Sequence, residues 1–180
     1  MNKIMEWFCL NPTFPVILGS AVIAFLAFRT TRHLTRCKHA IDFETAYHQS
    51  ESLSWAFKNL LEWSSHATAA DTAQLASPAM KTHEMLGHMR ELLNTWERVA
   101  IAIRQRVYDE NLLYNAYGTS VIWIWKQTLP FIRRRQQENP KLFINFEWLA
   151  IRWQIRRDSK TDATNLHKLK TAHALLQRIR

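Results

Sequence analysis

Glycine and proline are scarce in this chain of 180 residues, with three of the first and five of the second. An all-β protein needs more turn formers than that, so the scarcity points to helices. There is no glycine-rich phosphate loop, no nucleophile elbow and no convincing pair of carboxylates. Internal repeats and low-complexity tracts are also missing. Cysteine is equally thin. Cys9 and Cys37 flank an apolar run and would lie on opposite sides of a bilayer, so they form neither a disulfide framework nor a metal knuckle. No metal and no cofactor are therefore expected.

What is present is greasy, aromatic and basic. Hydrophobic residues make up 47 % and charged residues 22 %, which fits neither a disordered chain nor one wholly embedded in lipid. Eight tryptophans predict a core, or interfaces, built on large aromatic anchors. The formal charge of +9 makes anionic lipid and nucleic acid plausible partners.

From Trp7 to Phe28 no residue is charged. At about 1.5 Å per residue this run reaches roughly 33 Å, the thickness of a bilayer's hydrocarbon core. Asn11 followed by Pro12 reads as a helix start, and Trp7 and Phe8 sit where an interfacial aromatic belt would be. Arg29, Arg32, Arg36 and Lys38 follow at once. By the positive-inside rule they put the N-terminus outside and the rest in the cytoplasm, at an inner membrane, and they attract anionic lipid. A cleaved signal peptide and a buried core helix are the rival readings. The chain thus divides into residues 1–28 with a single transmembrane helix, a basic juxtamembrane segment 29–39, and a cytoplasmic helical domain 40–180. Gly19, Ser20, Ala24 and Ala27 share one face of the span and would let helix backbones approach, giving a homo-oligomer. Asn11, Thr13 and Ser20 are its candidate pore lining.

Helical periodicity continues beyond. Thr35 to about Thr68 reads as one long helix, and residues 66–83 as a loop or hinge. Ser77-Pro78 reads as the start of a helix reaching Val107, with Leu92, Leu93, Trp96, Val99 and Ile103 inward and Glu97 outward. Asp109 should cap the next helix, Pro130 should kink or restart it, and Asn139-Pro140 should end it. Val121 to Trp125, apolar all round, should be buried or lie against another chain. A further helix carries Phe143, Phe146, Leu149, Ala150 and Trp153, and an amphipathic one begins near Ala163. The fold class is all-α: a membrane helix feeding a helical bundle.

Three motifs invite chemistry. His83 and His88, in "HEMLGH", are five apart, so they do not reach one metal from one helix face as a zinc protease requires. Arg32 and His39 match the spacing of the helical HEPN ribonucleases, in which arginine stabilises developing charge and histidine transfers protons. Arginine and histidine are frequent enough here for such spacing to arise by chance. Arg133, Arg134, Arg135, Arg156 and Arg157 form the remaining basic runs, and Trp148 and Trp153 could stack bases beside them. Solvated helix ends are the plainer reading of these runs.

The stretch from Leu92 to Gln137, with Tyr108-Asp109-Glu110, Trp125 and Pro130-Phe131-Ile132, followed by Phe146-Glu147-Trp148-Leu149, resembles a bacterial family of single-span, all-helical proteins of unknown function. Its members often carry a glycine just before the Tyr-Asp-Glu turn, where this chain has Arg106-Val107. The layout also resembles the membrane accessory protein of RNA-targeting (type VI) CRISPR systems, which has an N-terminal span and a divergent HEPN-like domain. That resemblance implies a pore-forming or membrane-perturbing homo-oligomer in antiviral defence, with a CRISPR effector complex or RNA as partner. The expected function is therefore a non-enzymatic membrane effector. A membrane-tethered RNA-binding or RNA-cleaving protein and an anchored scaffold for a cytoplasmic partner are the alternatives.

Overall fold

A computed structural model describes residues 13–158 and 163–178, and among them the chain is helical without a strand. The helices are α1 (Thr13–Gln49), α2 (Glu51–His66), α3 (Ala69–Gln74), α4 (Glu84–Arg104), α5 (Glu110–Glu138), α6 (Ile144–Asp158) and α7 (Ala163–Arg178), with a 3₁₀ turn at Pro78–Met80. Side chains set the starts. Ser50 Oγ accepts from Leu53 N at 3.3 Å, and Asp109 Oδ1 from Leu112 N at 3.0 Å. Thr68 and Asp71 form a reciprocal capping box at α3.

Several boundaries differ from those expected. The long helix after Thr35 breaks at Ser50, because that serine caps a new helix whose first turn opens with Glu51. The expected hinge at 66–83 contains α3 and the 3₁₀ turn, and α4 starts only at Glu84, capped by His83. Pro130 does not restart α5, which runs through it to Glu138. The carbonyl that the proline deprives of a donor belongs to Lys126, an exposed residue that water can serve.

The core is aromatic, as eight tryptophans foretold. Trp96 and Trp153 are fully enclosed, with ring centres 6.2 Å apart at 75°. Tyr117, Tyr47 and Phe43 extend the cluster, Tyr117 lying 5.4 Å and Tyr47 5.6 Å from Trp96. Val121, Ile122, Ile124 and Trp125 are buried within the bundle, so α5's apolar turn serves the chain's own core. Glu97, expected to face outward, instead crosses to α6, where its carboxylate accepts from Asn145 N at 3.3 Å and Phe146 N at 2.6 Å. It thereby supplies an acceptor and a negative charge to the first turn of α6.

α1 is divided in character and not in backbone. From Ala40 onward it joins the core, with Ala40 buried and Phe43 and Tyr47 packed on it. From Val16 to Thr35 every residue is exposed. Val16, Ile17 and Ile23 keep 65–69 % of their surface, so the reading of this run as a buried core helix is overturned. Among the described residues no helix is long and apolar enough to cross a membrane. Of the charge-free run Trp7 to Phe28, residues 7–12 lie outside the described residues. The described piece, Thr13 to Phe28, extends about 24 Å, short of a hydrocarbon core of roughly 30 Å.

Candidate functional site

The N-terminal half of α1 is a bare apolar rod with cations at its base. Arg29 lies over the Phe25 ring at 5.9 Å and Arg32 over Phe28 at 5.4 Å, while Lys38 is exposed. Gly19, Ser20, Ala24 and Ala27 are exposed as well, and a methyl group added at Gly19 would meet nothing within 4 Å. No packing inside the chain requires that glycine. Ser20 Oγ donates to its own helix at Val16 O, 2.8 Å away. Thr13 is exposed at the first described turn, and Asn11 lies outside the described residues. Arg32 and His39 sit on one side of α1 but roughly 10 Å apart along its axis, both exposed.

The other basic runs are largely occupied. Arg133 holds both oxygens of Glu147, a carboxylate only 2 % exposed, and Gln136 donates to it at 3.4 Å. Arg134 bonds Gln137, Arg135 bonds Glu138, and Arg157 bonds Asp158. Arg156 reaches Asn111 and lies 3.9 Å from the centre of the Tyr114 ring. Trp153 is fully enclosed, so it has no face to offer a nucleotide base. Trp148, 6 % exposed, is covered by Arg104, Arg152 and the stacked ring of His173. The expectation of a stacking surface at these two tryptophans is corrected by their burial. His83 caps α4 through Nδ1, and His88 stands 3.5 Å from Glu84.

Packing assembles a site that no spacing announced. Where α1 enters the bundle, Arg36, Ile103, Arg104, Arg106, Glu110, Trp148, Arg152 and Gln177 line a cavity of about 470 Å³. Glu110 is its one carboxylate, held by Arg152 through bonds of 2.6 and 3.0 Å. Arg104 donates to Asn145 Oδ1 at 2.8 Å, and Arg36 reaches Tyr108 O at 3.4 Å. Arg36, expected in the lipid-facing collar, is thus turned toward the bundle. Arg106 is exposed and has φ 58°, the left-handed region that side chains disfavour. Burial pushes the His173 imidazole behind Trp148 below its ordinary pKa; Arg152 and Arg104 act in the same direction and Glu110 against them.

At the same junction His33 Nδ1 lies 3.9 Å from Cys37 Sγ and 3.8 Å from Asp109 Oδ2. These ligand atoms fall within 4.8 Å of one another and could hold a divalent ion of zinc's type, with one position open. The readable part was His33 and Cys37, four apart on one helix face. Asp109, distant in sequence, was not readable as their partner.

Fold and site define an all-α protein in which an exposed apolar helix runs on into a bundle with an arginine-lined cavity at the junction. The chain belongs to the family described as Domain of unknown function (DUF4760), which matches residues 14–153. That agrees with the family of unknown function to which the Tyr-Asp-Glu and Phe-Glu-Trp-Leu motifs pointed. The match spans α1 from within its apolar run to Trp153, and ends before α7. No curated protein and no solved structure matches the chain.

Proposed function

We propose that this protein is a membrane-anchored, self-associating helical module. Its apolar rod, continued toward the N-terminus by the charge-free residues from Trp7, inserts as a single span, and residues 29–180 stay on the cytoplasmic side. One observation carries the reading: Val16 to Phe28 is uncharged, has one hydroxyl, at Ser20, and is exposed along its whole length, with contacts only inside its own helix. A helix meant for a protein groove shows one apolar stripe and one polar face, whereas lipid asks for apolarity on every side. Eight large side chains there, Val16, Ile17, Leu18, Val22, Ile23, Phe25, Leu26 and Phe28, are at least half exposed. At about −0.3 to −0.6 kcal/mol each they favour insertion by roughly 4 kcal/mol. The basic residues below them suit an anionic inner leaflet.

Gly19, Ser20, Ala24 and Ala27 form the face on which copies would meet. Several spans gathered in this way make a pore-forming or membrane-perturbing assembly. The layout likeness to the type VI CRISPR accessory protein extends the proposal to antiviral defence. The RNA-cleaving alternative has less behind it, since Arg32 and His39 do not converge within one chain.

The test uses the full-length protein. It should float with vesicles containing phosphatidylglycerol, resist alkaline extraction, and run as an oligomer in mild detergent. Ile23→Lys, costing about 3 kcal/mol at a span's centre, should reduce stable insertion by about a hundredfold. A chain that stays monomeric and water-soluble without detergent refutes the anchor.

A further inference from the structure

The cavity where α1 meets the bundle is rich in hydrogen-bond donors and poor in acceptors. Four guanidiniums line it, those of Arg36, Arg104, Arg106 and Arg152, against the single carboxylate of Glu110. That carboxylate is already engaged on both oxygens by Arg152. Within one of these guanidiniums Arg36 Nε is buried without an acceptor, and so is one further N–H of a lining residue, Trp148 Nε1. Native proteins rarely leave buried donors unanswered, so each such group asks for an explanation, and a ligand with several acceptor oxygens is one.

Arg106 makes the case independently of the cavity's charge. At φ 58° it occupies backbone space that glycine enters freely and arginine enters at a cost. Its side chain is exposed, so no burial within the chain offsets that cost. Phe143 offers the contrast: its φ is 57°, but it is buried at 5 % and packing compensates. At position 106 the backbone favours glycine, and the retained side chain adds a cation to a cavity that already holds three. The left-handed turn itself closes α4, with Arg106 N donating to Ile103 O at 2.9 Å and Val107 N to Ala102 O at 2.8 Å; glycine is the usual residue at such an end, so the cap does not call for an arginine.

We propose that this cavity binds a phosphate-bearing anion carrying two or more negative charges. Guanidinium groups match phosphate oxygens in paired geometry, and such oxygens accept without donating. The volume of about 470 Å³ exceeds a bare phosphate and leaves room for a phosphorylated organic group. Recognition is of charge and not of a base, because the Trp148 ring is already covered by Arg104, Arg152 and His173. The bound anion joins α1, through Arg36, to the α4–α5 corner, to α6 and to α7. Arg36 lies just over two turns beyond Phe28, about 12 Å along the helix. The phosphate therefore comes either from a soluble polyphosphate such as a nucleotide or from an anionic phospholipid headgroup at the membrane surface.

Two arms separate these sources, both with the full-length chain in uncharged detergent at about 0.15 M salt, where surface attraction is screened. In one, calorimetry follows titration with inorganic pyrophosphate and with ATP. In the other, native mass spectrometry counts cardiolipin, whose headgroup carries two phosphates, retained against phosphatidylcholine. The expected result is one phosphate-bearing ligand per chain in at least one arm, weakened tenfold or more by Arg106→Gly and by Arg36→Gln. Arg134→Gln, the same loss of charge at an exposed arginine elsewhere, should leave binding unchanged. Arg106→Gly must remain folded, melting no lower than the wild type, which separates lost binding from lost structure. The proposal is overturned if neither arm saturates, or if Arg134→Gln weakens binding as much as Arg106→Gly. Vesicle flotation does not depend on Arg106, so this proposal and the membrane anchor can fail separately.

Discussion

Replacing Arg106 by glycine should make the protein more stable, an unusual outcome for removing a large side chain. An L-residue in the left-handed region costs roughly 1–2 kcal/mol, and Arg106 sits there at φ 58°. Glycine removes this cost but loses about 0.4–1 kcal/mol of its own to greater freedom when unfolded. Arg106 is exposed, so little packing is forfeited. Removing one of four neighbouring cations also relieves some repulsion. The net gain is about 0.5–1 kcal/mol, a rise in melting temperature of roughly 1–4 °C for a chain of this size. Arg106→Ala is the control, because it removes the same charge and keeps the left-handed strain. Thermal unfolding of the detergent-solubilised chain, followed by far-ultraviolet circular dichroism, should rank glycine above both alanine and wild type. If glycine melts below alanine, the strain argument is wrong, and with it the view that arginine at this position serves a ligand.

Other positions yield sharp contrasts. Arg133→Ala strands the carboxylate of Glu147, 2 % exposed, at a cost of roughly 2–3 kcal/mol, moderated because the arginine itself is 56 % exposed. Arg134→Ala beside it should stay within about 0.5 kcal/mol, and equal effects in denaturant unfolding would contradict the separation of roles. His173 has a folded pKa below its unfolded value of about 6.5. The unfolded chain then binds the proton more readily, so stability is full above about pH 6.5 and falls as pH drops through that value toward the folded pKa. The difference in stability between wild type and His173→Gln should shrink or reverse between about pH 7.5 and pH 5.5; a constant difference would refute the sign.

Much of the helical plan could be read residue by residue. Asp109 was legible as a cap, Asn139 as a stop, and Leu92, Trp96, Val99 and Ile103 as an inward stripe, because capping and periodicity act over a few residues. Ser50 was legible too, since a serine followed by Glu51 is a helix start, but the apolar spacing running through it hid the break. Pro130 did not restart the helix, because the consequence of a lost hydrogen bond depends on whether water can replace it. That depends on the exposure of Lys126. Trp153 and Trp148 beside arginines suggested a stacking surface, and only their burial ruled it out.

By itself the sequence determined that the protein is all-helical, strongly basic, built on tryptophan, and headed by a long charge-free run. These are properties of composition and of residues close together in the chain. The tertiary structure alone decided that the visible part of that run is left bare and that Arg133 is an internal counter-ion. It also brought residues 36, 104, 106, 110, 148, 152 and 177 around one cavity. No spacing rule links them, because α1, the α4–α5 corner, α6 and α7 come together through the burial of Trp96, Phe146 and Trp153 elsewhere in the bundle. Hydrophobic packing has no preferred direction, and the charged residues it carries along converge without leaving a local signature.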